Sequence, residues 1–267
     1  MLGDPISHSL SPVLHRAGYA ALGLDWSYEA HRVPAGGLAA FLADLDADWR
    51  GLSLTMPLKR EALALADRLT ARARLAGAVN TLVLDDGGER VGDNTDLPGA
   101  AAAIRERTTM PLASAVILGG GATASSIGLA LLDLGVSSVE LRVREESRAR
   151  ETLEALGAHP AAAELRTGPL DGTDTVHADI VVSTIPAAAQ TPELVARCGD
   201  APVVFEALYD PWPTPLAASA ADRTLVGGLD MLVHQAVMQF DLFTGLRAPL
   251  EAMREAGRQA LAERSTA

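Results

Sequence analysis

Residues 112–132 read LASAVILGGGATASSIGLALL, and this stretch decides the fold. It carries no charged residue and is long enough to cross a bilayer as a helix. Its middle, GGGATASS, interrupts any continuous helix, because glycine and serine favour turns and caps over the interior of a helix. We therefore predict a buried strand (SAVIL), a turn and a helix (IGLALLDLG) instead of a membrane span.

The turn, GGGATA, fits the pattern G-x-G-x-x-A directly after a strand and before a helix. In this pattern Gly119 permits the tight turn, Gly121 lets a pyrophosphate approach the backbone, and Ala124 lets the helix pack closely on the strand. The helix N-terminus offers N–H groups to the phosphates. A glycine match also occurs in ordinary βα turns, but the flanking strand and helix favour a dinucleotide site. The predicted pyrophosphate-binding residues are Gly119, Gly120, Gly121, Ala122, Thr123 and Ala124.

The end of the next strand, VELRV, indicates which dinucleotide binds. NAD sites usually place a carboxylate there for the ribose hydroxyls. Here Arg144 and Arg148 follow the strand, and their guanidinium groups suit the oxygens of a 2′-phosphate. The alternative is a solvated charged face at the start of a helix, and Glu145 would repel a phosphate. We predict NADP as the cofactor, with NAD left open.

Outward from this unit, strands and helices alternate along most of the chain. Before it come WSYEAHRV, GLAAFLADL, GLSL and LKREALALA, followed by two strands around a Gly-rich turn, TLVLDDGGERVGDNTD. After it come VELRV, DIVVST and VVFEAL, and then two segments of helical period, MLVHQAVMQFDLF and APLEAMREAGRQALAE. Alternation of this kind predicts parallel βα units.

We therefore predict an α/β fold with two lobes, which a chain of 267 residues can accommodate. The first lobe is an α/β domain of residues 1–96 plus 230–267. The second, residues 97–229, is a Rossmann-like dinucleotide-binding domain. The C-terminal helices are predicted to pack back on the first lobe.

Composition excludes several classes of function. With 48% hydrophobic and 21% charged residues the chain is globular, and its net charge of −12 with scattered arginines argues against a nucleic-acid partner. A single cysteine, Cys198, excludes an internal disulfide and a cysteine-based zinc site, and the histidines are not spaced as metal ligands. The opening MLGDPISHS shows no secretory signal. We expect a cytoplasmic enzyme without a metal or a membrane partner, as a monomer or a homodimer.

Two serines stand around the start of a predicted helix in GDPISHSLSPVLH, residues 3–15. Ser11 precedes a proline, which is typical of an N-cap followed by the first helical position. Ser9 lies two residues earlier, so both hydroxyls can face one pocket above a helix N-terminus, where an anion binds well. Ser11 alone is explained by capping. The pair together favours a carboxylate-binding site.

Lys59 falls where the strand of GLSLTMPLKR (residues 51–60) gives way to a helix. A cation in a first helical turn is unfavourable for folding, because the helix dipole is positive there. Asp96, in the NTD that follows the hairpin, would hold the ammonium protonated, whereas the dipole and partial burial favour proton release. A lysine under both influences can pass a proton to an oxygen. The alternative is an ordinary surface lysine.

The chain resembles shikimate dehydrogenase over essentially its whole length. The matching segments, in the order that the family shows, are GDPISHSLSP, LTMPLK, GAVNT with GDNTDLPG, GGGATA, and the pair LYDPWPTPL and GLDMLVHQ. Each is weak alone, and their shared order makes the resemblance specific. It implies that the first lobe binds the substrate.

The resemblance also implies roles for individual residues. Lys59 would be the general acid/base, paired with Asp96. The substrate carboxylate would be bound by Ser9, Ser11 and Tyr209. The ring hydroxyls would be bound by Thr55, Asn80, Asp96 and Gln235. The cofactor would be bound by the glycine turn, by Arg144 and Arg148, and along its border by Ser183, Thr184, Ile185, Gly228 and Met231.

The chain departs from the family at two motifs. The family's Asn-Val-Thr before the proline is Ser53-Leu54-Thr55 here, and its Asn-Arg-Thr phosphate motif is Val143-Arg144-Glu145. The implied reaction is the reversible NADPH-dependent reduction of 3-dehydroshikimate to shikimate, a step toward chorismate and the aromatic amino acids. The alternatives are an NAD-dependent quinate/shikimate dehydrogenase and a non-catalytic dinucleotide-binding sensor.

Overall fold

Strands and helices alternate along the chain, as the pattern of apolar residues predicts, and the α/β fold class is confirmed. The computed structural model describes residues 1–85 and 87–266. They form two compact units: Met1–Thr95 with the chain from Leu232 onward, and Asp96–Met231. Among the described residues, no helix combines the length and the apolar character needed to cross a membrane.

The second unit is built on a sheet of six parallel strands. They are β7 (Ser114–Leu118), β8 (Ser138–Val143), β9 (Glu164–Pro169), β10 (Ile180–Ser183), β11 (Val203–Glu206) and β12 (Thr224–Val226). Their order in the sheet is β9-β8-β7-β10-β11-β12, and every pairing is parallel. This is the doubly wound order of a dinucleotide-binding sheet, in which the chain reverses direction beside the first strand.

Helices cover this sheet, and their packing on it explains why residues 112–132 carry no charge. They are α5 (Asp96–Arg107), α6 (Ala122–Asp133), α7 (Arg150–Gly157), α8 (Pro192–Arg197) and α9 (Pro215–Ala218). From Ala124 to Leu132 every residue of α6 is buried. Strand β7 is central and buried beyond its first residue. A helix and strand buried on all sides need apolar residues throughout. The predicted strand, turn and helix are therefore confirmed.

The first unit has short strands in two small sheets. They are β1 (Leu2–Gly3) paired with β2 (His31–Arg32), and β3 (Gly51–Ser53), β4 (Arg68–Leu69), β5 (Thr81–Leu84) and β6 (Arg90–Asp93) in the order β3-β5-β6-β4. The prediction of parallel βα units is wrong for β3–β5, which is antiparallel, whereas β4–β6 is parallel and the antiparallel β5–β6 pair is the predicted hairpin. The predicted strand WSYEAHRV is paired only at His31–Arg32.

The hairpin is the reason for the antiparallel pairing. The Asp85 carboxylate accepts the backbone N–H groups of Gly87 (2.9 Å) and Glu89 (2.8 Å), which closes a tight turn between β5 and β6. A turn this short can join only antiparallel neighbours. The two-strand hairpin predicted from the sequence is confirmed.

Six helices belong wholly or largely to the first unit. They are α1 (Ser11–Ala21), α2 (Leu38–Ala43), α3 (Leu58–Glu61), α4 (Ala71–Ala76), α10 (Gly228–Thr244) and α11 (Leu250–Thr266). Helix α1 packs against α11. A Cβ atom at Gly18 in α1 would lie 2.7 Å from the Phe240 ring and 3.3 Å from Met253 Cγ, so the helices approach closely there. The C-terminal helices pack on the first unit, as predicted.

A buried histidine gives this unit a pH-dependent stability. The His15 ring stacks on Tyr28 at 4.2 Å between centroids and lies among Tyr19, Phe240 and Phe243. Burial lowers the pKa of His15 from 6.5 to about 3. The unfolded chain therefore binds a proton below pH 6.5 that the folded chain does not bind. Stability is full above that pH and falls toward pH 3.

We expect this histidine to weaken the fold by roughly 1.4 kcal/mol per pH unit below pH 6.5. His15→Phe should flatten the acid limb of the unfolding free energy, measured by urea titration between pH 7.5 and 5. The matched control is His177→Gln, because His177 is exposed and should leave the slope unchanged. An equal slope in wild type and His15→Phe would contradict the assignment.

Candidate active site

The glycine turn has the geometry that a pyrophosphate requires. Gly119 adopts φ +117°, and a Cβ there would lie 2.3 Å from the Thr184 hydroxyl, so only glycine fits. Gly121 is the N-cap of α6, and a Cβ at Gly121 would meet no atom within 4 Å. The N-terminus of a buried helix therefore opens onto free space, where N–H groups and the helix dipole favour phosphate. The residues fit the dinucleotide predicted from the sequence.

The end of β10, where Ser183, Thr184 and Ile185 are predicted to border the cofactor, lies beside this turn. Thr184 donates both its N–H and its hydroxyl to the Leu118 carbonyl, each at 3.0 Å, so it lies against the glycine turn. Ser183 is buried, and its hydroxyl accepts from the Gln190 side chain at 3.0 Å. Ile185 is buried in the core of the unit. Thr184 is therefore the polar side chain of the three that lies against the turn.

The two arginines predicted to bind the 2′-phosphate differ in their surroundings. Arg148 lies 3.7 Å from the Glu145 carboxylate, and both side chains are exposed. Arg144 lines a cavity of about 580 Å³ together with Leu170 and Thr191. In the part of the chain that the structure describes, Arg144 has no carboxylate partner. Arg144 is therefore the arginine better placed to bind an added anion.

The serine pair differs from the capping pattern expected at Ser11. The N-cap of α1 is Leu10, Ser11 is the first helical residue, and no side chain caps the helix. The Ser9 hydroxyl accepts the Ser11 N–H at 3.3 Å, from one residue before the N-cap. Among the described residues the buried Ser11 hydroxyl has no hydrogen-bond partner. An unpaired buried hydroxyl costs stability unless a ligand satisfies it, so Ser11 fits ligand binding better than capping.

Lys59 lies close in the fold to Asn80, which is predicted to bind a ring hydroxyl. Helix α3 is anchored by the buried Leu58, while the neighbouring Lys59 is half-buried. The Lys59 carbonyl accepts the Val79 N–H at 2.7 Å, which fixes the lysine backbone next to Asn80. Thr55, half-buried, starts the turn that leads into α3, where its carbonyl accepts the Leu58 N–H at 2.8 Å.

Asn80, Thr95 and Gln235 form one hydrogen-bonded group. Asn80 Oδ1 accepts the Thr95 N–H at 2.8 Å, and Asn80 Nδ2 donates to the Thr95 hydroxyl at 2.9 Å and to Gln235 Oε1 at 3.3 Å. All three residues belong to the first unit. Asn80, just before β5, and Gln235 of α10 are both predicted to bind the substrate, and these bonds hold the two side chains in contact.

The remaining predicted residues lie in the second unit. Asp96 is the first residue of α5 and is buried, and Met231 is buried in α10. A Cβ at Gly228 would lie 2.5 Å from the Leu208 carbonyl, so this glycine lets α10 start against the segment that carries Tyr209. Lys59 belongs to the first unit and Asp96 to the second, and their pairing stays a prediction.

Sequence reasoning missed a buried carboxyl group three residues before Tyr209. Glu206 accepts the Leu208 N–H (3.0 Å), the Thr214 hydroxyl (2.7 Å) and the Gln190 amide (2.8 Å). Burial raises the pKa of Glu206 above its usual range, although these hydrogen-bond donors oppose part of the rise. The group ties the ends of β10 and β11 together. A single glutamate at the end of an apolar strand was the available signal.

Comparison with known proteins shows the family. A family model described as the shikimate dehydrogenase substrate binding domain matches residues 1–82, and one described as the shikimate 5′-dehydrogenase C-terminal domain matches residues 228–256. The shikimate dehydrogenase (NADP(+)) of Rubrobacter xylanophilus is 36% identical over 269 residues, which cover 96% of this chain and 93% of the relative.

Solved structures give the same result. Shikimate dehydrogenase of Mycobacterium tuberculosis superposes with a TM-score of 0.87 at 39% identity, covering 97% of each chain. Shikimate 5-dehydrogenase of Thermus thermophilus, solved with NADP(H) and shikimate, gives 0.80 at 31% identity and 97% of each chain. Quinate dehydrogenase of Corynebacterium glutamicum, solved with NAD, gives 0.86 at 29% identity and 97% of each chain. Since relatives of this similarity cover nearly its whole length, the chain belongs to the shikimate dehydrogenase family.

Proposed function

We propose that this chain is an NADP-dependent shikimate dehydrogenase, which reversibly reduces 3-dehydroshikimate to shikimate in the chorismate pathway. The observation that carries the proposal is the 36% identity to a shikimate dehydrogenase (NADP(+)) across 96% of the chain, since it includes both units. Substrate binding is assigned to residues 1–96 with 230–267, and cofactor binding to residues 97–229.

The second unit supports the cofactor assignment. The open Gly121 position at the α6 N-terminus would take the pyrophosphate, with Thr184 beside it. Arg144 would bind the 2′-phosphate, since no carboxylate among residues 1–85 and 87–266 pairs with its guanidinium and its donors are available. NADPH, when bound, supplies the hydride for the ring ketone.

The first unit supports the substrate assignment. The unpaired Ser11 hydroxyl at the start of α1 would donate to the substrate carboxylate, together with Ser9 and with Tyr209 of the second unit. Asn80 and Gln235 would bind ring hydroxyls, with Thr55 and Asp96. Discrimination through buried hydrogen bonds is strong, because an analogue that lacks the hydroxyl leaves a buried polar group unpaired.

Lys59 would act on the oxygen of the reacting carbon. During reduction the ketone oxygen gains negative charge, and the Lys59 ammonium stabilises that charge and donates a proton. In the reverse direction the neutral amine accepts the proton of the shikimate hydroxyl. Asp96 would hold the ammonium in position.

The alternative within the family is a quinate/shikimate dehydrogenase that uses NAD, which Glu145 beside Arg144 favours. Initial rates with shikimate and quinate, each with NADP and NAD, test the choice. We expect shikimate with NADP to give the highest kcat/KM. A preference for quinate with NAD would establish the alternative, and cofactor binding without turnover of either acid would indicate a sensor.

Arg144→Ala should raise the KM for NADP by about 10-fold and leave the KM for NAD within two-fold. The reason is that a charge-assisted contact to a phosphate contributes roughly 1.5 kcal/mol or more, and NAD lacks that phosphate. Arg148→Ala is the matched comparison, and we expect a smaller effect because the Glu145 carboxylate, 3.7 Å from Arg148, competes with a phosphate for it. Equal changes for both cofactors would show that Arg144 does not read the 2′-phosphate.

A further inference from the structure

A continuous chain of buried hydrogen bonds runs through the first unit to Asn80. The Tyr28 hydroxyl donates to the Ser53 hydroxyl at 2.5 Å, and Ser53 donates to Gln239 Oε1 at 2.8 Å. Gln239 Nε2 donates to the Thr81 hydroxyl at 2.8 Å, and Thr81 donates to Asn80 Oδ1 at 2.7 Å. All five side chains are buried.

The direction of this chain is fixed at Gln239. Gln239 Nε2 also lies 3.1 Å from the Asn80 backbone carbonyl, which can only accept a hydrogen bond. The amide nitrogen of Gln239 therefore faces Asn80, and its oxygen faces Ser53. Because that oxygen can only accept, Ser53 must donate to it.

The direction is fixed a second time at Asn80. The Thr95 backbone N–H lies 2.8 Å from Asn80 Oδ1 and can only donate, so the Asn80 oxygen faces Thr95 and its nitrogen faces Gln235. Gln235 must then present Oε1 to Asn80, while Gln235 Nε2 donates to the Leu232 carbonyl at 3.1 Å. Within residues 1–85 and 87–266 the second N–H of Gln235 has no acceptor, so it remains available to a ligand.

We propose that Gln239 is a positioning residue for the substrate, which acts with Ser53 to fix how Asn80 and Gln235 present their amide groups. The inference rests on the proposed function. Gln239 lies one helical turn beyond Gln235 in α10, on the same face, and joins that helix to β3 and to the start of β5. Because these hydrogen bonds fix which end of each amide faces its neighbour, the network holds Asn80 and Gln235 in one arrangement, which apolar packing alone does not do for an amide.

The test is the variant Gln239→Met, which keeps the side-chain length and removes both hydrogen-bonding groups. We expect the KM for shikimate to rise about 10-fold while the KM for NADP stays within two-fold. Thr244→Val is the matched control on α10, since it removes the 2.8 Å bond from Thr244 to the Phe240 carbonyl, and it should change neither constant. If Gln239→Met raises the KM for shikimate and the KM for NADP by similar factors, the role of Gln239 is structural and the proposal is overturned.

A second variant keeps the proposal falsifiable if Gln239→Met folds poorly. Ser53→Ala removes the donor to Gln239 and should raise the KM for shikimate about 3-fold. Because the two residues act in series, Ser53→Ala with Gln239→Met should be no worse than Gln239→Met alone. If the double variant raises the KM for shikimate by the product of the two single effects, Ser53 and Gln239 act independently and the proposal is contradicted.

A crystal structure of Gln239→Met separates this proposal from the proposed function. If wild type fails to oxidise shikimate, the proposed function is wrong, whatever the variant shows. The positioning role predicts that the Asn80 amide turns or shifts in the variant. Unchanged Asn80 and Gln235 side chains would overturn it.

Discussion

Replacing Lys59 with alanine should lower kcat for shikimate oxidation by about 10²-fold or more, with NADP binding within two-fold of wild type. A positioned proton donor contributes roughly 10²–10⁴-fold to such a reaction. The Lys59 backbone is fixed beside Asn80 through the Val79 N–H, so the loss should fall on the chemical step. Steady-state kinetics with fluorescence titration of NADPH separates the two effects.

Two further variants define the role of the amine. Lys59→Arg keeps the positive charge, but a guanidinium does not give up its proton, so activity should remain low. Arg60→Ala, the neighbouring position on α3, is the control and should keep turnover within a few-fold. Turnover of Lys59→Ala within a few-fold of wild type would remove Lys59 from the chemistry.

Gly121→Val should raise the Kd for NADPH by about 100-fold without loss of the fold. The backbone at Gly121, φ −90° and ψ −176°, is open to any residue, and no atom lies within 4 Å of the added Cβ. The side chain would occupy the space that we propose for the phosphates, which would remove about two charge-assisted hydrogen bonds, or roughly 3 kcal/mol. Isothermal titration with NADPH and a thermal melt are the two measurements.

For Gly120, the adjacent glycine, we expect a substitution to destabilise the fold. A Cβ at Gly120 would lie 2.7 Å from the Arg148 carbonyl, which is backbone and cannot move freely. Gly120→Ala should therefore lower the melting temperature, whereas Gly121→Val should leave it within a few degrees. Unchanged NADPH affinity in Gly121→Val would show that the cofactor does not approach this turn.

Local sequence patterns predicted the centre of the second unit well because strand β7 and helix α6 are almost entirely buried. The run from Ser114 to Asp133 forms a strand, turn and helix for the same reason that it lacks charge. The short strands Arg68–Leu69 and Thr224–Val226 were missed, since pairing with neighbours and not local preference defines two or three residues as strand. The direction of the β3–β5 pairing was wrong for the same reason. The strand Glu164–Pro169 was also missed, because it is mostly exposed and carries no apolar pattern.

The site was predictable in part. The residue types and their place at element ends indicated Ser9, Lys59 and the glycine turn, but not which serine would be unpaired. That outcome depends on α1 starting one residue earlier than the proline suggests. Gln239 and Glu206 were missed because their roles depend on partners distant in sequence, such as Ser53 for Gln239. Spacing alone does not show such contacts.

The central claim is that this chain transfers hydride from NADPH to 3-dehydroshikimate. Its most direct test uses NADPH in which both hydrogens at nicotinamide C4 are replaced by deuterium, with mass analysis of the product. We predict shikimate that is heavier by one deuterium, formed at the rate of NADPH consumption. Unlabelled product, or bound NADPH that is not consumed, would contradict the claim.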